Sequence, residues 1–166
     1  AFFDMLPDGL LDHVVAAFLD DIIVEALRLG EVGFGAALAG DFGVPIVLVT
    51  GDRAVTEEAR DLLGDIETVA VKEGIGWAAS ESLTPAVACQ RIKEAAKRAM
   101  GLKIPPFVIE RPLTLRVVFP LSGQADLAAL LPGSKRIDGC TVEWILDEMA
   151  TVTKQVTIIA HLSTMV

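Results

Sequence analysis

An apolar run rich in β-branched residues occupies positions 44–50, and it is too short to span a membrane. Continuous apolarity, without alternation, is typical of a strand that is covered on both faces, as in a parallel sheet. Small and apolar residues at helical spacing precede the run from Glu31 to Gly40, and a second helical segment follows from Thr56 to Leu63. Val69 to Val71 begins another buried strand. This order of helix, strand, helix and strand predicts an α/β layered sheet.

Polar residues follow both predicted strands, at Thr50-Gly51-Asp52 and at Lys72-Glu73-Gly74. In open α/β sheets ligands bind beyond the carboxyl ends of the strands, so both segments are candidates for a site. A longer helix is expected to begin at Thr84-Pro85, with Thr at the N-cap and Pro at the first position, and to end at Gly101. Its spacing predicts that six side chains point inward: Val87, Cys89, Ile92, Ala95, Ala96 and Ala99.

The first thirty residues are ambiguous in pattern. Apolar residues from Leu10 to Ile23 fit a helical stripe, and Gly30 could end that helix. However, Asp20-Asp21 followed by Ile22-Ile23-Val24 also resembles a strand that enters a turn. The pattern alone slightly favours the helix.

The pattern changes after the Pro105-Pro106 linker, where neither a helix nor a strand ladder can continue. We expect an alternating strand at 113–119, a short helix at 123–131, a hairpin around Asp138-Gly139 and a final helix at about 146–161. The predicted fold class is therefore α/β, with a parallel-sheet layered lobe followed by a small antiparallel α+β lobe. The first lobe is predicted to comprise residues 1–103, and the second lobe residues 104–166.

Composition narrows the function classes. The net charge of −9 argues against nucleic acid as a partner, because such binding needs clustered Lys and Arg. No apolar run approaches the ~20 residues of a membrane-spanning helix. The two cysteines, Cys89 and Cys140, lack a C-x-x-C spacing and are expected to be reduced, buried thiols of a cytoplasmic protein.

Several residues are candidates for chemistry, each with a plainer alternative. Glu31, within G-E-V-G, could be a ligand, or simply a first-turn carboxylate that complements the helix dipole. His13 lies beside Asp12 and could be catalytic, although a lone histidine is more often structural. Asp52 and Lys72 could bind a ligand, or could belong to ordinary turns. His161 has no acidic or Cys neighbour and is interpreted as structural.

Several blocks in order carry a resemblance to a known family. They are G-E-V-G-F at 30–34, A-G-D-F-G-V-P at 39–45, V-T-G-D at 49–52, V-A-V-K-E-G-I at 69–75, L-T-P at 83–85, Q-A-D at 124–126 and L-L-P-G at 130–133. Together they resemble the zinc-dependent D-aminopeptidase family over most of residues 7–150. The resemblance implies a hydrolase that uses two zinc ions to activate water. It also implies a short peptide substrate with an N-terminal D-amino acid.

The resemblance assigns roles to two residues of this sequence. Glu31 matches the glutamate that the family uses as a zinc ligand, and His13 matches its proposed catalytic histidine. The family's D-x-E pair and two ligand histidines have no counterpart here. We therefore expect the C-terminal portion of such an enzyme, which alone would hold zinc poorly. The alternative is a catalytically inactive relative that serves as an oligomeric assembly or binding module.

Two further expectations follow from the resemblance. The family assembles into stacked rings, and an apolar content of 52% agrees with a homo-oligomer. Comparison with the family's blocks also shifts the interpretation of residues 20–29 from helix to strand.

Overall fold

The computed structural model describes residues 21–24, 27–76 and 79–163. The predicted His13 and Asp12 therefore lie outside the described residues. Within them the chain divides into two compact units. One unit comprises the described residues before Gly35 together with those from Ile109 onward, and the other is Gly35–Val108.

The first unit is built on an antiparallel sheet of five strands. These are β1 (Asp21–Val24), β2 (Leu27–Arg28), β6 (Leu113–Val118), β7 (Lys135–Arg136) and β8 (Thr141–Leu146), in the order β2-β1-β6-β8-β7. The β1–β2 pair confirms a strand, and not a helix, for the described part of residues 20–29. Strand β6 alternates buried and more exposed residues, as its sequence predicts.

Two helices pack on each other and on β8 in this unit, α4 (Ser122–Ala128) and α5 (Met149–Ser163). Leu146, expected in the final helix, instead ends strand β8. The core lies between helices and sheet, where Trp144 is 1% exposed and Phe119 is also 1% exposed. A left-handed Gly133 (φ 75°) forms the turn beside Trp144, and a Cβ there would lie 4.0 Å from the indole Cδ1.

The second unit contains a three-stranded sheet in the order β3-β4-β5. Strand β3 (Leu48–Asp52) pairs in parallel with β4 (Glu67–Gly76), and β4 pairs antiparallel with β5 (Ala79–Ser82). The parallel pair confirms the layered α/β pattern predicted for 44–71. Burial on both faces is only partial, because Leu48 and Val49 are half-buried and Thr50 is exposed.

Three helices accompany these strands: α1 (Glu31–Asp41), which crosses the unit boundary, α2 (Arg53–Leu63) and α3 (Pro85–Ala99). The end of α2 and the start of α3 agree with the capping signals in the sequence. Helix α2 begins at Arg53, however, and not at Thr56 as expected, because Asp52 is its N-cap. Gly64 (φ 77°) donates its N–H to the Arg60 carbonyl and ends α2. Helix α3 starts at Pro85 after Thr84, as expected.

The structure corrects the predicted inward face of α3. Ala95 and Ala99 are buried, but Val87 is 43% exposed and Cys89 is also exposed. The buried positions recur at helical spacing, and Val87 and Cys89 fall outside that stripe at the beginning of the helix. Cys140 is half-buried, so neither cysteine is the fully buried thiol that was expected.

At the coarse level the described residues form a mixed α/β structure with two sheets. The structural division differs from a boundary at 103/104, because β1 pairs with β6 across about ninety residues of sequence. The N-terminal strand thus belongs to the same sheet as the C-terminal strands. No described helix is long and apolar enough to cross a membrane.

Candidate functional site

Glu31 is the first residue of helix α1, with its side chain exposed. The preceding Leu29 is 5% exposed and donates its backbone N–H to the Ile22 carbonyl, which ties the helix entrance to strand β1. The Phe34 N–H donates to the Gly30 carbonyl at 3.1 Å and closes the first turn. A carboxylate at this end of a helix is favoured by the helix dipole. The predicted helix start at Glu31 is confirmed, and its role as a ligand stays a prediction.

A zinc site needs three or four protein ligands close together. No group of three or more His, Cys, Asp and Glu side chains suited to a metal is found among residues 21–24, 27–76 and 79–163. The described residues therefore do not fit a complete zinc site, although Glu31 could supply one carboxylate. Whether His13 lies near Glu31 also stays a prediction, since His13 is outside the described ranges.

His161 lies in the last turn of α5, and its Nδ1 is 2.7 Å from the Thr157 carbonyl oxygen. This bond to the preceding helical turn agrees with a structural role.

Asp52 ends strand β3 and is the N-cap of α2. Its Oδ1 accepts the Val55 N–H at 2.9 Å, which satisfies one of the free donors at the helix start. Of the two interpretations that the sequence allowed for Asp52, the helix-starting turn is the one that the structure shows.

Lys72 lies within β4 and not at its end, because the strand continues to Gly76 and pairs there with β5. Lys72 instead lines a cleft of about 530 Å³ within the Gly35–Val108 unit. The cleft lies along β4, beside the end of β5, the start of α2 and one face of α3. Seven charged side chains line it: Arg53, Lys72, Glu73, Glu81, Arg91, Glu94 and Arg98.

Two ion pairs include residues that line this cleft. The Arg53 guanidinium donates to the Glu73 carboxylate at 2.6 Å, and Arg98 donates two bonds of 2.9 Å to Glu67. The hydrogen bond from Arg53 is the main reason that the pKa of Glu73 lies below its usual value, and the bond from Arg98 lowers the pKa of Glu67 in the same way. Both carboxylates therefore stay ionised at neutral pH.

Sequence reasoning found Lys72 but missed the cleft around it. Arg53, Arg91 and Arg98 were not among the residues predicted for a site. A signal was present, because Glu67 and Glu73 flank the buried part of the predicted strand. Which basic residue meets each of them depends on how the helices cross the sheet, and one sequence does not specify that.

Comparison with known protein families decides the ancestry of the chain. The model of a peptidase family, peptidase M55 or D-aminopeptidase, matches residues 5–158. The chain belongs to the D-aminopeptidase family. The matched region contains Glu31 in its G-E-V-G block, so the resemblance seen in the sequence is confirmed.

Matches to individual members of the D-aminopeptidase family support this assignment. The chain is 31% identical over 137 residues to the D-aminopeptidase of Bacillus subtilis (strain 168), and this alignment covers 80% of the chain and 49% of the relative. A solved structure, described as the Zn-dependent D-aminopeptidase DppA from Bacillus subtilis, a self-compartmentalizing protease, superposes with a TM-score of 0.85. That match has 27% identity and covers 90% of this chain and 56% of DppA. The chain thus spans about half the length of the relatives it matches.

Proposed function

We propose that this chain is part of a metal-dependent aminopeptidase that releases N-terminal D-amino acids from short peptides. The observation that carries the proposal is the position of Glu31. It begins helix α1 inside the region that matches the D-aminopeptidase family, at the family's G-E-V-G block. Peptidase relatives at 31% and 27% identity support an enzyme over a binding module without activity.

The proposed cofactor is zinc, with two ions in the complete site. Support comes from DppA, which is described as Zn-dependent. Zinc polarises a carbonyl and makes bound water acidic. Glu31 would supply one carboxylate ligand, and the described residues do not complete the site, so further ligands must come from outside these ranges. His13 is proposed to move a proton to the leaving amine, which would contribute about 10²–10⁴-fold to the rate.

Two substitutions in the complete enzyme test these roles. Glu31→Gln should lower the zinc content measured by mass spectrometry, because it removes a charged ligand, and it should lower turnover with it. His13→Ala should keep the zinc content and lower kcat on D-alanyl substrates. Glu57→Gln, at an exposed helical glutamate of α2, is the matched control and should change neither. Unchanged zinc content in Glu31→Gln would remove Glu31 from the site, and full turnover by His13→Ala would remove His13.

We further propose a homo-oligomer, in the form of stacked rings. DppA is described as self-compartmentalizing, and such a protease must enclose its chamber by assembly. Large apolar side chains are exposed in the described chain, among them Met100 at 81% and Leu130 at 80%. Light scattering at micromolar concentration should give a multiple of the chain mass, and a monomer would contradict the proposal.

A cytoplasmic location is proposed from the cysteines. Cys89 and Cys140 are both free, and Cys89 is exposed. Free, exposed thiols persist where the compartment is reducing. Fractionation of cells that express the tagged protein would test this, and recovery outside the cytoplasm would contradict it.

A further inference from the structure

The three-stranded sheet of the Gly35–Val108 unit has two edges of different character. At one edge lies β5, a strand of four residues with the sequence A-S-E-S, all of them exposed. Proteins place short strands with polar and charged side chains at the edge of a sheet, because such strands discourage further pairing. At the other edge lies β3, which pairs only with β4 among the described strands.

The sequence of β3 is typical of a strand inside a sheet and not of an edge strand. From position 44 the run V-P-I-V-L-V-T-G contains no charged residue before Asp52. A continuously apolar parallel strand normally has neighbours on both sides. Here residues 46–49 are only half-buried and Thr50 is exposed, whereas Val69 on the neighbouring β4 is 7% exposed. Strand β3 therefore leaves apolar surface exposed that a second neighbouring strand would cover.

The backbone of β3 also presents hydrogen-bonding groups at this edge. The Glu67 N–H on β4 donates to the Val47 carbonyl at 3.0 Å, and Leu48 is in register with Glu67. Alternate residues of a parallel strand face the same neighbour, so Val47 and Val49 face β4 while Leu48 and Thr50 face the open edge. No described strand supplies partners for the N–H and C=O groups of these two residues. An unpaired row of this kind is a template for another strand.

Helices already lie on both faces of this sheet. A Cβ at Gly51 would lie 3.1 Å from Cγ1 of Val55, so α2 packs on the face of β3 to which Gly51 points. Glu67 points to the other face by the alternation of the strands, and there it accepts two bonds from Arg98 of α3. The uncovered position is thus in the plane of the sheet, where a strand fits and a helix does not.

We propose that the open edge of β3 binds a further strand, parallel to it, from the part of the polypeptide that corresponds to the unmatched half of the relatives. The alignment covers 49% of the Bacillus subtilis D-aminopeptidase, and the superposition covers 56% of DppA, so that half is long enough to supply a strand. A second copy of the chain is less suited, because two copies related by a two-fold axis would pair their β3 strands antiparallel. The proposal does not depend on peptidase activity.

Hydrogen exchange of the complete protein, resolved to single residues by mass spectrometry, tests the pairing. The N–H groups of Leu48 and Thr50 should exchange as slowly as that of Val49, which faces β4. They should exchange about tenfold or more slowly than the N–H of Ser82, the control at the polar edge. Ser82 faces solvent there, because the adjacent Leu83 is the residue that donates to β4. Exchange at Leu48 and Thr50 as fast as at Ser82 would overturn the proposal.

Photo-cross-linking of the complete protein identifies the partner. Thr50→p-benzoylphenylalanine should cross-link to a segment of the same chain outside residues 1–166, and Ser82→p-benzoylphenylalanine is the matched control that should not reach that segment. Mixing isotopically labelled and unlabelled chains separates links within one chain from links between copies. No link to that segment, or a link to residues 1–20 or to a second copy, would overturn the proposal. Neither measurement uses turnover, so failure here leaves the proposed peptidase function to its own tests.

Discussion

The two units of this protein achieve their packing by different means. Each of the largest fully buried side chains among the described residues belongs to the unit with the five-stranded antiparallel sheet: Trp144, Phe119, Leu113, Leu115, Met149, Ile159, Val24, Val117, Val142, Val152 and Val156. In the Gly35–Val108 unit the side chains at or near zero exposure are alanines, such as Ala59 and Ala95. Its larger apolar side chains, such as Val69 at 7%, keep some contact with solvent.

This difference shows which interactions stabilise each unit. The antiparallel unit depends on large apolar side chains between helices and sheet. The Gly35–Val108 unit depends on close backbone approach, helix caps and ion pairs, and it keeps a polar cleft open. The predictions below test this contrast, beginning with the largest expected effect.

The largest effect should come from the core of the antiparallel unit. Trp144→Ala should lower the free energy of unfolding by about 3–5 kcal/mol, because it removes a buried aromatic side chain and leaves a cavity. Ile145→Ala is the control on the same strand, where the side chain is 69% exposed, and it should change stability little. Urea unfolding measures both. Equal effects of the two substitutions would refute the placement of this core.

Close backbone approach in the other unit is tested at Gly40. A Cβ at this position of α1 would lie 1.8 Å from the Phe107 carbonyl oxygen, so the backbone would have to move. Gly40→Ala should cost about 2 kcal/mol, even though alanine favours the helix. Gly35→Ala is the control in the same helix, with nothing within 4 Å of the new Cβ, and it should be neutral or stabilising. A stable Gly40→Ala protein would contradict the close approach.

A smaller effect is expected at the cap of α2. Asp52→Ala removes the acceptor of the Val55 N–H and should lower stability by about 1 kcal/mol. Asp52→Asn retains an acceptor oxygen and should lose much less. If both variants unfold at the same urea concentration as the parent, Asp52 is not acting as a cap.

The smallest effect concerns the pH dependence of the ion pairs. The pKa values of Glu67 and Glu73 lie below the ordinary value of 4.5, so their contribution is present above that pH and is lost as pH falls through the lowered values. Thermal unfolding between pH 5 and pH 3 should therefore show a shallower loss of Tm in Glu67→Gln/Glu73→Gln than in the parent. Glu110→Gln is the exposed control and should follow the parent. Parallel profiles for all three proteins would exclude a contribution from these pairs.

Local signals in the sequence predicted local structure well. Glu31, Thr84-Pro85 and Gly64 mark helix ends whose capping depends on neighbouring residues, and the structure agrees at each of them. The strand at 113–119 was also predictable, because its alternation reflects one buried face.

What escaped prediction depends on contacts between distant parts of the chain. The pairing of Ile22 with Val117 joins strands about ninety residues apart, and nothing in either strand specifies the partner. Likewise the cleft at Lys72 arises where α3 crosses β4. The ligand role of Glu31 was suggested by family resemblance and not by periodicity, because a first-turn carboxylate has the same local pattern in either role.

The central claim is that the chain belongs to an enzyme that acts on N-terminal D-residues. Its most direct test is to compare turnover of D-alanyl and L-alanyl p-nitroanilide by the purified complete protein, with zinc supplied. We expect release of p-nitroaniline from the D-substrate, with kcat/KM well above that for the L-substrate, and loss of this activity after the zinc is removed. Equal turnover of the two enantiomers, or no turnover of the D-substrate by the zinc-loaded protein, would contradict the proposed function.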